Sequence, residues 1–310
     1  KPTNSRALTL LKLNNNLSYI YFVFLFILFE VKTVPNLGIV IFYTIFVFLI
    51  FINMSEVKII QVTTEKQLSD FIKFPMNLYK NNQNYVPSLI KDEKSIWNKE
   101  ENPALAYSEA KQFLAYKDDE IVGRIAVMIN HKEAQELGIE KVRFGWLDFI
   151  DDEAVSKALI DTAIAYAKEK NIKKIEGPMG FTNLDKAGML TFGFDRLATM
   201  IGIYNFSYYP KHLEKLGLVK EKEWVEFEIM FPDVLPDKVE KFSQLIAEKY
   251  QLKTIKFNSK EEILPLVEPM FKLLDETYKN LSTYTPITDE QILHYKEKYF
   301  GFIDKDYIIC

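Results

Sequence analysis

Cysteine and histidine are almost missing: the 310-residue chain has one of the first, Cys310, and three of the second. A single thiol closes no internal disulfide, and three scattered imidazoles give no zinc-like ligand spacing, so a metal-free protein of the reducing cytoplasm is expected. An excess of basic charge is missing too. Lysine and arginine total 39 against 43 acidic residues, for a net charge of −4. No basic run breaks that balance, which excludes a dedicated nucleic-acid surface. No Gly-x-Gly pair precedes a helix and no lysine holds a Walker position, so the glycine-loop phosphate cradles are removed as well. No Ser-His or Cys-His pair offers a covalent nucleophile. Nor does any apolar run reach the roughly 20 residues that comfortably span a bilayer.

Two shorter runs come near that length. LSYIYFVFLFILF (Leu17 to Phe29) and LGIVIFYTIFVFLIFI (Leu37 to Ile52) are separated by EVKTVPN within residues 1–53. Three readings compete for this segment: a tight membrane hairpin, a signal-like segment, and translated upstream sequence. The last is favoured. The first methionine is Met54, opening the ordinary-looking MSEVKIIQV, and the residues before it have the Phe, Ile, Leu, Asn and Lys bias of AT-rich DNA. No small-residue cleavage site follows the runs, which weighs against a signal peptide. At the other end KDYIIC reads as the opening of a strand, so a fragment cut at both ends is expected.

What is present is an ordinary globular composition, 48% hydrophobic and 26% charged, enough for one good core or two small ones. VKIIQV alternates like a strand, and Thr63 or Thr64 is placed to cap the helix EKQLSDFIKF. KQFLAYKDDEIVGRIAVMIN reads as a β-hairpin about KDDE, RFGWLDFI as a strand, DDEAVSKALIDTAIAYAKEK as a helix and IKKIEG as a further strand. YYPKHLEKLG is a short helix closed by Gly217, and EWVEFEIMF a strand. The order predicts an α/β (α+β) fold, a mixed central sheet with helices on both faces, over residues 54–232. A second unit, 233–310, is read as an incomplete second half: LKTIKFNSKEEILPLVEPMFKLL repeats the strand, polar pair and acidic helix of VKIIQVTTEKQLSDFIKFPMNLY. The helix TDEQILHYKEKYFGF and the incipient strand DYIIC would follow in the same places. The bland alternative is that one strand-turn-helix looks like another.

Between IKKIEG and YYPKHLEKLG lies a long stretch beginning IEGPMGFTNLDKAGMLTFGFD (Ile175 to Asp195). Long loops inside compact domains are often binding elements. Asn183 and Asp185 offer hydrogen-bonding groups, Gly188 and Gly193 allow close backbone approach, and Phe192 and Phe194 supply an apolar wall. The alternative is an Ω-loop with self-capping Asx turns. Tyr204, Asn205, Tyr208 and Tyr209 form an aromatic-amide cluster dense enough to line an apolar channel or to pack the helix onto the sheet. Glu176 ends IKKIEG where open α/β sheets tend to place ligands, as a substrate contact or a structural partner. Arg124 is expected to brace the sheet.

The hairpin with VGRIAV, the run GWLDFIDDEAVSKALIDTAIAYAKEKNIKKIEG and the closing YYPKHLEKLGLVKEKEW resemble a Gcn5-related N-acetyltransferase (GNAT) domain. FPMNLYKNNQNYVPSL, FGWLDFIDD, the loop and YNFSYYPKHLEKLG look more specifically like the YghO-like group of bacterial proteins, which includes bacterial ceramide synthases. The resemblance implies acyl transfer from acyl-CoA or acetyl-CoA to an amine, without a covalent enzyme intermediate or a metal. The acceptor is a small soluble amine or a lipid-like, sphingoid amine, the latter with membrane-surface association. A non-catalytic binding module is the rival. Asp148, on the strand that meets the acyl donor in such proteins, is the candidate base and is expected to share a face with Trp146 and Ile150. Two departures stand out. FIDDEAVSKAL lacks the family's glycine loop for the coenzyme pyrophosphate, and Asp151, Asp152 and Glu153 repel phosphate there. The place of the usual tyrosine acid is held by Leu213, leaving Tyr204, Tyr208 or Tyr209 to replace it.

Overall fold

The computed structural model describes residues 56–199, 202–281, 284–300 and 304–310. The apolar runs of residues 1–53 lie outside them. Among the described residues no helix is long and apolar enough to cross a membrane.

The elements follow the hydrophobic periodicity: β1 (Lys58–Gln61), α1 (Glu65–Leu78), α2 (Ile90–Ile96), β2 (Ser108–Lys117), β3 (Glu120–Asn130), α3 (His131–Leu137), β4 (Val142–Phe149), α4 (Glu153–Glu169), β5 (Ile175–Glu176) and α5 (Tyr208–Lys215). Thr64 caps α1 in a reciprocal capping box with Gln67, which fixes where the helix begins. The β2–β3 hairpin turns on Asp118 and Asp119, both at positive φ (50° and 64°), the backbone that a two-residue hairpin of right-handed twist requires. The strands lie in the order β1-β2-β3-β4-β5; only the last pair is parallel.

Each face of this sheet is covered. Phe71 and Ile72 of α1 pack with Leu114, Ala126 and Met128 on one face. On the other, Val155, Leu159, Ile160 and Ala163 of α4, with Tyr209 and Leu213 of α5, meet Ile125, Val127, Phe144 and Phe149. Burying each large side chain of this kind stabilises the fold by about 1.5–3 kcal/mol relative to exposure. The mixed sheet with helices on both faces is therefore as the sequence implies, and Leu213 belongs to its core.

Two irregularities position the site. The β3–β4 register shifts between Arg124 and Ala126, so that Trp146 and Leu147 together oppose Ile125, and Trp146 takes φ 45°. This bulge bends the end of β4. One expectation is corrected by it: Ile150 packs with the cluster on the α4 face, whereas Trp146 packs on the α1 face, so the two do not share a side. The second irregularity is the brevity of β5. After Glu176 the chain crosses β4 so closely that a Cβ on Gly145 would stand 2.2 Å from the Met179 carbonyl oxygen.

Beyond α5 the helices α6 (Asp237–Tyr250), α7 (Leu264–Tyr278) and α8 (Asp289–Phe300) follow. The expected strands at EWVEFEIMF, LKTIKF and DYIIC are not strands among the described residues. Trp224, Phe227 and Phe231 instead lie exposed, outside any helix or strand. The reason is pairing: alternation makes a strand only where a free edge accepts it, and the two residues of β5 offer too little ladder. Ile255 and Cys310 do exchange backbone bonds in both directions, at 2.7 and 3.2 Å.

Candidate functional site

The bulge turns Asp148 toward α1, where it is buried beside Arg124. Arg124 Nε donates to Asp148 Oδ2 at 2.7 Å, and its Nη1 donates to the Phe71 carbonyl at 2.8 Å, tying β3, β4 and α1 together. Tyr79, at the end of α1, donates its hydroxyl to Asp148 Oδ1 at 3.1 Å and lies 2.8 Å from the Tyr209 hydroxyl. Tyr209 in turn accepts the Phe149 backbone N–H at 3.0 Å. Burial first, then the Asp148 charge, holds both phenols far above their ordinary pKa, so they remain neutral hydroxyls.

Outward from this network the rings of Tyr85, Tyr204 and Phe206 surround Tyr79, with Tyr85 stacked on it at 4.5 Å. Burial pushes the Tyr85 phenol up to about 12. Tyr204 donates to the Phe194 carbonyl at 2.8 Å and receives Asn82 Nδ2 at 2.8 Å. Asn84 donates to the same carbonyl at 3.3 Å. A recess of about 550 Å³ opens here, lined by Leu78, Asn81, Gln83, Asp195 and Phe206 among others.

The loop after β5 is fastened at several points. Asn205 is buried and clamps Leu190, accepting its N–H at 2.6 Å and donating to its carbonyl at 3.1 Å. Asp185 Oδ2 accepts the Thr182 N–H at 2.8 Å, a self-capping turn of the kind foreseen for an Ω-loop. Burial pushes the Asp185 carboxyl up, against the Thr182 N–H and the Arg143 charge. Gly188 and Gly193 adopt φ of 86° and 82°. Phe192 is 90% exposed.

The candidate residues thus divide. Asp148, Tyr204, Tyr208, Tyr209, Asn205 and Phe194 gather about Tyr79. Glu176, Asn183 and Asp185 lie with a separate buried group, in which Glu133 pairs with Lys141 at 2.8 Å and with Arg143 at 3.0 Å. Glu176 pairs with Lys174 at 2.9 Å and Lys141 at 3.3 Å. Its own burial is outweighed by those two lysines, which hold its carboxyl below the usual range. Asn183 Oδ1 accepts the Thr285 N–H at 3.2 Å, and Arg143 Nη2 donates to Thr285 Oγ1 at 3.0 Å. Sequence reasoning missed Tyr79, Glu133, Lys141 and Arg143. Tyr79 carried a signal, an aromatic on the apolar stripe of α1.

The start of α4, where the resemblance places a coenzyme pyrophosphate, is occupied by the chain's own carboxylates. At the start of α4, Asp152 Oδ1 accepts the Ala154 N–H at 2.8 Å and its carboxylate binds Lys117 at 2.7 Å. Burial opposes but does not overcome this, and the Asp152 carboxyl stays below its ordinary pKa. Asp151 pairs with His212 at 3.0 Å and Glu153 with Lys215. Three carboxylates around one helix N-terminus do not fit a pyrophosphate. Among the described residues no group of three or more His, Cys, Asp or Glu side chains could hold a metal ion.

No protein-family model matches the chain. It is 31% identical over 156 residues to Protein YghO of Escherichia coli (strain K12), covering 50% of this chain and 40% of that protein. It is 25% identical over 170 residues to the bacterial ceramide synthase of Caulobacter vibrioides (strain NA1000 / CB15N), covering 54% and 44% respectively. The matched region therefore spans less than half of either relative. Among solved structures, a ribosomal-protein-alanine N-acetyltransferase from Brucella melitensis matches at 15% identity and TM-score 0.31, over 57% of this chain and 99% of that one. A Trypanosoma brucei acetyltransferase matches at 15% identity and TM-score 0.33, over 56% and 100%. At such scores the description of the fold rests on strand order and register.

Proposed function

From an assignment to the GNAT superfamily, supported by the two sequence relatives and by the strand order, we propose that this chain belongs to an acyl-CoA-dependent N-acyltransferase. The acceptor is an amine, and the kinship with a ceramide synthase favours a long-chain, sphingoid-like one acting from a membrane surface. Fold alone would not carry this. The observation that carries it is the buried hydroxyl chain from Tyr209 through Tyr79 to Asp148, packed beneath the rings of Tyr85, Tyr204 and Phe206, the last of which also lines the recess. In the reaction, the amine nitrogen attacks the thioester carbonyl and must lose a proton. Asp148 receives that proton through the Tyr79 hydroxyl, which relays it while remaining neutral. Arg124 fixes the carboxylate, and Tyr204, Asn205, Tyr208, Tyr209 and the loop residues Phe194, Gly188 and Phe192 form the acceptor side. Glu176, Asn183 and Asp185 support the other flank of that loop. The same reading treats residues 233–310 as an incomplete second GNAT-like half. In support, the Asn258 N–H bonds Glu262 Oε2 at 2.9 Å, as the Thr63 N–H bonds Gln67 Oε1 at 2.9 Å before α1.

The test incubates the purified chain with palmitoyl-CoA and sphinganine, and separately with acetyl-CoA and small amines, and follows N-acyl product by mass spectrometry. A long-chain amide is expected. Tyr79→Phe should lower its rate about 100-fold, the usual scale for losing a proton-transfer group, with little change in KM. Product only from small amines would move the acceptor to the soluble class. No product and no donor binding would leave a non-catalytic module.

A further inference from the structure

Resting on the acyl-CoA reading, we infer that the outer edge of β4 is a closed seam in this chain, and that the donor's pantetheine arm and pyrophosphate bind elsewhere than along β4 and the start of α4. An extended arm with two amides is held by strand addition, which needs free N–H and C=O groups on a strand edge. Toward both ends of β4, on either side of the Trp146–Leu147 bulge, those groups are engaged. The Val142 N–H donates to Lys174 O at 2.9 Å, and Phe144 O accepts from the Met179 N–H at 2.8 Å. Past the point where β5 ends, side chains take over. The Phe149 N–H donates to the Tyr209 hydroxyl at 3.0 Å, and Phe149 O accepts the Tyr208 hydroxyl at 2.5 Å. Two neighbouring residues of α5 thereby occupy both hydrogen-bonding groups of one strand residue.

The seam is not a loose cover. Tyr209 is 2% exposed, its ring stacks on Phe149 at 4.2 Å, and its hydroxyl also lies 2.8 Å from Tyr79. Withdrawing it would leave the Phe149 N–H and the Asp148 network short of a partner in the interior, a cost that a pantetheine amide would have to repay. At the phosphate end, the Ala154, Val155 and Ser156 N–H groups of the first turn of α4 already bond to Asp152. The nearby basic side chains are equally committed: Lys117 to Asp152, His212 to Asp151 and Lys215 to Glu153. Both ends of the usual donor groove are thus filled by the chain's own groups.

The experiment is amide-resolved NMR on the full chain, with hydrogen exchange measured alone and with coenzyme A or palmitoyl-CoA, and transfer to sphinganine assayed in the same sample. The Phe149 amide should exchange slowly, and neither Phe149 nor Ala154 should shift when donor is added. Tyr209→Phe should speed Phe149 exchange about tenfold or more, whereas Tyr208→Phe, which loses only a bond to the carbonyl, should leave it slow. A donor-dependent shift at Phe149 and Ala154 would overturn the inference and leave the acyltransferase reading intact. So would a Phe149 amide that exchanges freely, or one indifferent to Tyr209→Phe. Quiet signals with transfer support both readings. Quiet signals with no transfer and no donor binding support the seam and remove the acyltransferase reading.

Discussion

Replacing Tyr209 by phenylalanine isolates one oxygen at the centre of the site. The ring remains, stacked on Phe149 at 4.2 Å, so little apolar burial is lost. What is lost is the acceptor of the Phe149 N–H at 3.0 Å and a partner of the Tyr79 hydroxyl at 2.8 Å. Tyr79 keeps Asp148, but the backbone N–H is left unpaired in the interior, at a cost of about 1–3 kcal/mol. Tyr209→Phe should therefore destabilise the fold by about 2 kcal/mol in urea unfolding, with the slope unchanged. For a domain of this size that lowers Tm by about 4–8 °C. Tyr209→Ala, which adds a cavity, should cost about 3–5 kcal/mol. The pH dependence gives a second check. Both phenols are held above their ordinary value in the fold, so the folded state keeps protons that the unfolded state releases. Stability from these groups is then level up to the unfolded pKa of about 10 and falls as pH rises beyond it. A Tyr209→Phe protein within about 0.5 kcal/mol of the parent would refute the assignment of that hydroxyl as the partner of Phe149.

Three further outcomes follow from the same geometry. Asp152→Ala should cost about 1 kcal/mol at neutral pH through loss of the α4 cap. Because the folded carboxyl is depressed, that difference should shrink as pH falls below the ordinary Asp value of about 3.9, read from urea midpoints across pH. Gly145→Ala would place a Cβ 2.2 Å from the Met179 carbonyl oxygen and should destabilise by about 3 kcal/mol by thermal unfolding; a neutral result would mean that the loop crossing lies further from β4. Asn205→Ala releases the Leu190 clamp and should speed proteolysis of residues 191–198 by about 30-fold, the equivalent of about 2 kcal/mol of local opening, with unchanged cleavage disproving the clamp.

The parts of this fold that could be read from sequence are those whose signals are local. Thr64 with Gln67 marks the start of α1, the Asp118–Asp119 pair marks the hairpin, and the apolar spacing of α4 marks its buried face. Arg124 was readable as a brace because a cation on a core strand needs an anion, and Asp148 lies across the register from it. The remainder depends on distance in the chain. Tyr79 reaches Asp148 across 69 residues, and Tyr209 reaches Phe149 across 60. No periodicity within either segment records such a meeting, since it is set by how α1 and α5 cross the sheet. The same holds for the expected strand EWVEFEIMF, where the alternation is present but the ladder is not. Its pattern reports what the segment can pair with, and the short β5 decides that it does not pair here. The loop after Ile175 changes meaning for this reason. Its glycines and polar residues are compatible with a ligand in any local window, yet Asp185 turns back on Thr182 and Asn205 holds Leu190. The rings that surround Tyr79 come instead from Tyr85, Tyr204 and Phe206, outside the stretch that runs from Ile175 to Asp195.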